Sequence, residues 1–258
     1  MLAFDREGTG SPLVLLHGTN SSRGIWAPIL PQLTAHREVL AIDLPGHGES
    51  PPTSLTPAGF AHDLSEAFDA LDLGAPAVVG HSVGGWVALE LAKLDRAGAV
   101  LALAPAGLWR KHSPWLTDLG LQANWHLGRL LPGVAERSLR SRRGRRVALG
   151  SISARPGDVP YDVAVATARA AATSDHFPAH FKQTRVLRFE GGLEISADVP
   201  VRIIWGDSDR VALARRPRFA EELPHHAEVE TWSNCGHMVM WDRREELVRA
   251  ALFLATRP

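Results

Sequence analysis

Ala77-Val78-Val79-Gly80-His81-Ser82-Val83-Gly84 is the stretch on which the fold turns. Three apolar residues lead into a G-x-S-x-G pattern, and Val83 to Leu94 continues at helical spacing, so the order is strand, sharp turn, helix. Glycine at 80 and 84 suits a turn in which strand and helix come so close that a Cβ at either position collides. Ser82 is then left in a strained conformation with its hydroxyl at the strand's carboxyl end. A serine hydroxyl is almost un-ionised at neutral pH, so as a nucleophile it needs a neighbouring base.

Outward from this stretch, short apolar runs alternate with helix-like segments. Leu13–Leu16, Val39–Ile42, Ala77–Val79, Val100–Leu103, Val201–Trp205 and Glu228–Trp232 read as strands, and most are too uniformly apolar to have a wet face. Pro57–Leu71 reads as a helix with Thr56 as its N-cap, followed by helices at Val83–Leu94 and Glu245–Leu254. The class is therefore α/β: a mostly parallel, doubly wound sheet. One interval departs from the rhythm, since almost a hundred residues separate the strand ending near Ala104 from the one starting at Val201. It carries Trp109, Trp115 and Trp125 and an alanine-rich stretch from Val163 to Ala172, and reads as an inserted helical subdomain of the kind that often covers an active site.

With 258 residues, 45% of them hydrophobic, and 28 basic against 28 acidic side chains, the chain can bury a large core, and it shows no general attraction to nucleic acid. The single cysteine, Cys235, excludes an internal disulfide and reads as a small buried neighbour of the loop around His237. The start, MLAFDREG, places charges where a signal peptide needs apolar residues, and the longest nearly apolar run, Ala97–Trp109, is too short to span a bilayer; a cytoplasmic location is expected. Arg137, Arg140, Arg142, Arg143, Arg145 and Arg146 form a basic patch that reads as a solvated face. No phosphate-binding glycine loop is present, and the His176/His180 pair is interrupted by Pro178, so neither cofactor nor metal is expected.

The chain resembles the α/β-hydrolase family over nearly its whole length. Beside the elbow at Ser82, His17-Gly18-Thr19-Asn20 looks like the family's oxyanion loop, Asp43-Leu44-Pro45-Gly46-His47-Gly48-Glu49-Ser50 like its D-x-x-G-x-G-x-S turn, Trp205-Gly206-Asp207-Ser208-Asp209 like its acid loop, and Cys235-Gly236-His237 like its histidine loop. The resemblance implies an α/β-hydrolase core at 1–107 and 194–258 and a helical cap at 108–193. Serine, orienting acid and base must follow in that chain order, which Ser82, Asp209 and His237 satisfy. Asp207 competes with Asp209, but the family's acid usually stands third after the Trp-Gly pair. Among the histidines, His17 and His47 fall where the family has structural ones, and His225 and His226 are adjacent and cannot both face one site. The oxyanion donors are expected to be the backbone amides of Thr19 and Val83, with Asn20 as the alternative to Thr19. His81, Trp109, Trp125 and Met238 are the expected substrate contacts, although packing explains the tryptophans equally well.

A serine in the elbow speaks against the aspartate-nucleophile branches, those of haloalkane dehalogenation and epoxide hydrolysis. The expected activity is hydrolysis of a carboxylic ester with an apolar acyl or aromatic group through an acyl-enzyme. A carbon-carbon bond hydrolase of ring-cleavage-type diketones is the alternative, with Arg169 as a possible cap arginine; those enzymes usually carry asparagine before the serine and tryptophan after the histidine, where this chain has His81 and Met238. A ligand receptor on the same fold remains open at this point.

Overall fold

The computed structural model describes residues 1–109, 115–211 and 220–254, with the side chains of 115–117, 124, 132 and 220 left aside. In chain order its elements are β1 (Phe4–Glu7), β2 (Pro12–Leu16), α1 (Leu30–Thr34), β3 (Glu38–Ile42), α2 (Pro57–Ala70), β4 (Ala77–His81), α3 (Val83–Lys93) and β5 (Ala99–Leu103). Then come α4 (Trp115–Leu130), α5 (Pro132–Leu139), α6 (Arg142–Leu149), α7 (Tyr161–Ala172), α8 (Phe177–Thr184), β6 (Val201–Gly206), β7 (Glu228–Trp232), α9 (Val239–Asp242) and α10 (Arg244–Leu254). The seven strands form one sheet in the order β1-β3-β2-β4-β5-β6-β7, parallel except where β1 meets β3.

The uniformly apolar runs lie in the middle of this sheet, as their composition requires, and β5 is buried at all five positions. On one face Phe60, Leu64 and Phe68 of α2 pack with Trp86, Val87 and Leu91 of α3. On the other, Trp26, Ile29 and Leu33 pack with Leu247, Ala251 and Leu254 of α10. Thr56 caps α2 as its sequence implies, its Oγ1 accepting from the Gly59 amide at 3.1 Å. The periodicity did not indicate β1, because Phe4-Asp5-Arg6-Glu7 is a charged, mostly exposed edge strand. Glu228–Trp232 is also an edge strand and, unlike the central ones, is exposed along much of its length.

The insertion leaves the sheet uninterrupted. Strand β6 pairs directly and in parallel with β5, with Leu101 opposite Arg202, so the chain leaves from the carboxyl end of β5 and returns to the amino end of the adjacent strand. Between them stand the five helices α4 to α8, with a core of their own formed by Leu139, Leu149, Val159, Ala164 and Val165. The arginines of α5 and α6 sit mainly on the surface: Arg142 pairs with Asp158, and Arg145 folds back on the carbonyls of Leu139 at 2.8 Å and Gly157 at 3.2 Å. Among the described residues no helix is long and apolar enough to cross a membrane.

Backbone packs against backbone where β4 turns into α3. A Cβ on Gly80 would stand 2.1 Å from the Gly84 carbonyl oxygen, and one on Gly84 would stand 2.3 Å from the Leu16 oxygen and 2.5 Å from that of His17. These obstacles are backbone atoms of the sheet and its own helix, so they cannot rotate away. Gly84→Ala is expected to cost about 3 kcal/mol or more in urea unfolding, the scale of severe overpacking. Gly120→Ala, in a helix with nothing within 4 Å of the added methyl, should instead stabilise by about 0.5–1 kcal/mol.

Candidate active site

Ser82 occupies the N-cap position of α3 with φ 54° and ψ −114°, a backbone conformation that costs a non-glycine residue of order 1–3 kcal/mol. The surroundings hold it there: its amide donates to Leu103 O at 2.8 Å, and its carbonyl accepts from Ala106 N–H at 2.9 Å and Trp86 N–H at 3.2 Å. The serine is buried at the carboxyl end of the central strands. Beside it, Gly18 comes so near that a Cβ there would be 3.0 Å from both Ser82 Cβ and His81 Nδ1. The loop that continues into Thr19 and Asn20 is thus pressed against the elbow.

That loop is anchored from below. Arg23 binds the fully buried Asp43 through its backbone amide at 2.6 Å and through its guanidinium, which also reaches Glu49 at 2.6 Å and Asp5 at 2.9 Å. His17 Nδ1–H donates to Gly18 O at 2.7 Å, and Nε2 accepts from Leu44 N–H at 3.0 Å. Neither the Thr19 nor the Val83 amide is taken up by a backbone acceptor among the described residues. Thr19 Oγ1, both polar atoms of the Asn20 carboxamide and His81 Nδ1 are likewise buried without a partner there. Polar atoms so placed are costly unless a ligand or solvent completes them, which suits a loop built to meet a polar group.

Asp209 Oδ2 and His237 Nδ1 are 2.9 Å apart, with Asp209 and His237 only 3% and 6% exposed. A carboxylate accepts, so Nδ1 carries the proton and Nε2 is left as the basic nitrogen. The other Asp209 oxygen accepts from Val211 N–H at 2.8 Å. Asp207 is differently placed: it is exposed, bonds the Ser208 hydroxyl at 2.8 Å and the Cys235 amide at 3.3 Å, and is held below its usual pKa chiefly by the serine hydrogen bond. Cys235 is fully buried under this loop, which pushes its thiol up to about 12.

His81 does more than floor the site. Its Nε2–H donates to the carbonyl of His237 at 3.0 Å, and the two rings lie 4.7 Å apart, so the residue before Ser82 is tied to the backbone of His237. The sequence alone carried no signal for this bond, because it depends on the end of β4 lying under the 237 loop. Met238 is buried in the core cluster beneath the sheet. Trp109 packs on Trp86, and its indole donates to Leu187 O at 2.9 Å. The Trp125 indole donates to Ser174 O at 2.9 Å, and its ring lies 5.9 Å from that of Phe177. Thus Ser82, His81, Val83, Gly18, His237 and Asp209 are gathered at one place. The two tryptophans are joined to that group by no hydrogen bond or ring contact among the described residues. Arg169 is exposed and gripped by the Glu136 carboxylate at 2.7 and 2.9 Å.

The profile of the alpha/beta hydrolase family matches residues 13–250, and the chain belongs to that family. The class is a hydrolase on an α/β scaffold. The chain is 30% identical over 196 residues to an epoxide hydrolase, EphH, of Mycobacterium tuberculosis, covering 73% of this chain and 89% of that one. It is 41% identical over 105 residues to the dihydrolipoyllysine-residue acetyltransferase component of an acetoin cleaving system from Pseudomonas putida, of whose length the match spans 28%. In fold it is similar to a meta-cleavage product hydrolase from Pseudomonas fluorescens, with TM-score 0.74, 20% identity and coverage of 98% of this chain and 93% of that one. A marine microorganism esterase gives TM-score 0.72 at 22% identity, covering 98% of both chains.

Four buried histidines around this site make stability depend on pH. His17, His81 and His180 are each pushed down to about 3, mainly by burial and then by a neighbouring histidine, and His47 is lowered by burial. The unfolded chain therefore binds more protons than the folded one below about pH 6.5, and stability is lost as pH falls from there toward 3. Each histidine contributes a slope of up to about 1.4 kcal/mol per pH unit. Melting temperatures should decline with increasing steepness below pH 6.5, and His180→Gln should flatten the decline. A constant melting temperature between pH 7.5 and 5 would contradict the neutral assignments.

Proposed function

We propose that the protein hydrolyses carboxylic esters through an acyl-enzyme on Ser82. The observation that carries this reading is the buried Asp209–His237 hydrogen bond, which leaves Nε2 as a base in the same cluster as the strained serine. His237 Nε2 takes the Ser82 proton as Oγ bonds to the ester carbonyl carbon, and Asp209 orients the imidazole and stabilises the imidazolium. The amides of Thr19 and Val83 receive the oxyanion, where fixed donors are each typically worth a few kcal/mol. As the carbon–oxygen bond breaks, His237 gives its proton to the leaving alcohol. It then deprotonates water for attack on the acyl-enzyme, and Ser82 recovers its proton when the acid departs.

The insertion, 108–193, acts in this proposal as a cap. Trp125, Phe177 and Phe181, with His126, Lys182 and Arg185, line a groove of about 220 Å³ on it. Opening an epoxide through an alkyl-enzyme ester requires a carboxylate nucleophile, and the elbow offers a hydroxyl. The carbon-carbon alternative draws on Arg169, whose guanidinium is already committed to Glu136.

Hydrolysis of short and medium p-nitrophenyl esters tests the proposal against a receptor role, in which at most a few slow turnovers occur. Asp209→Asn should lower kcat/KM by roughly ten-thousandfold with the fold intact, as loss of the orienting acid does in a serine triad. Ser82→Ala should abolish turnover, whereas Asp207→Asn should change it little. A severe loss in Asp207→Asn with Asp209→Asn near wild type would overturn the assignment of the acid.

A further inference from the structure

The loop of His237 is held on both sides by one short piece of the insertion. Met238 N–H donates to Ile152 O at 2.8 Å. Gly236 packs so tightly on the same piece that a Cβ there would stand 2.6 Å from Ile152 O and 2.8 Å from Ser153 Cα. Between them lies the Asp242 carboxylate, 4% exposed, at the end of α9. Its Oδ2 accepts from the amides of Gly236 and Ala154, both at 2.8 Å. Its Oδ1 accepts from Ser153 Oγ at 2.7 Å and the Arg155 amide at 3.4 Å. The Arg155 guanidinium closes the arrangement by donating to Asp242 O at 2.7 Å.

One carboxylate therefore gathers four donors, three from residues 153–155 and one from the residue directly before His237. Because the Met238 amide is also bound to Ile152, both amides flanking His237 are fixed to the insertion. The sheet alone does not provide this: β7 ends at Trp232, several residues earlier. We infer that Asp242 is a positioning residue for His237, through which segment 152–155 of the insertion sets the place of the imidazole relative to Asp209 and Ser82. Asp242 acts through Gly236 and has no direct bond to the imidazole. The inference rests on the reading of His237 as the base. It implies that any displacement of segment 152–155 by the rest of the insertion is passed to that base.

In Asp242→Asn, an NH2 replaces one oxygen and faces either the Gly236 and Ala154 amides or the Ser153 and Arg155 donors, so half the clamp becomes donor against donor. Two readouts apply to the full-length protein: the ¹H NMR titration of the His237 ring, assigned against His237→Gln, and the rate at which a fluorophosphonate probe labels Ser82. A loosened hydrogen bond to Asp209 stabilises the imidazolium less, so the titration midpoint should fall. Labelling should slow roughly ten- to hundredfold, the scale of small misplacements of a reacting group. Ser153→Ala, which removes a single donor, should move both readouts the same way by less, and Asp242→Glu should restore part of the loss.

Wild-type titration and labelling rate in both Asp242→Asn and Ser153→Ala would overturn the inference, however far the melting temperatures drop. If Asp242→Asn does not fold, Ser153→Ala decides alone by the same two outcomes. If the wild type takes up no probe, the esterase reading fails, and the titration still decides the clamp.

Discussion

Strand β4 and helix α3 meet with no room for a methyl group between them, and most of the site's geometry follows from that approach. The missing Cβ atoms at Gly80 and Gly84 let the first turn of α3 lie against the ends of β2 and β4. This contact forces Ser82 into its positive φ and presses Gly18, with the Thr19–Asn20 loop, against the elbow. The strain at Ser82, about 1–3 kcal/mol, is offset by the helix it begins. Trp86, Val87 and Leu91 are almost wholly buried beneath it, and each such side chain contributes on the order of 1.5–3 kcal/mol. The helix therefore cannot relax away from the strand without surrendering more than the strain it relieves.

A second constraint fixes what lies across from the serine. The loop of His237 belongs to no strand or helix, yet it is bound to three separate parts of the chain. Asp209 holds the ring from the end of β6, His81 holds the carbonyl from the end of β4, and segment 152–155 holds the flanking amides directly and through Asp242. Fixed placement of this kind suits proton transfer, which tolerates little error in the distance between donor and acceptor. The insertion, placed in sequence between β5 and β6, is thus bonded to the His237 loop directly and through Asp242.

The sequence disclosed the parts whose chemistry is local. Strands β2 to β6 were legible because burial on both faces demands unbroken apolar runs, and the elbow because two glycines around a serine serve one geometry. Asp209 was preferred to Asp207 by its place in the loop; in the structure Asp209 bonds the His237 ring, and Asp207 bonds Ser208 and Cys235 at the surface. Less was legible where meaning arises only after distant segments meet. Strand β1 is a charged edge without an apolar signature. Asp242 reads in sequence as an ordinary acid at a helix end, and its role appears only when residues 152–155 fold back on it. His81 looked like a pocket residue, and only the crossing of the 237 loop reveals its hydrogen bond. Trp109 and Trp125, expected beside substrate, bond through their indole N–H groups to the carbonyls of Leu187 and Ser174, partners that no sequence pattern marks.

The central claim is that Ser82 carries the acyl group during turnover. Mixing the protein with an activated acyl ester, quenching in acid within milliseconds to seconds and mapping the digest by mass spectrometry tests it most directly. The account predicts that the peptide containing Ser82 gains the mass of the acyl group, and that the gain decays once the ester is consumed. Accumulation of product with no acylated Ser82 at any time, or with the acyl mass on another residue, would contradict it.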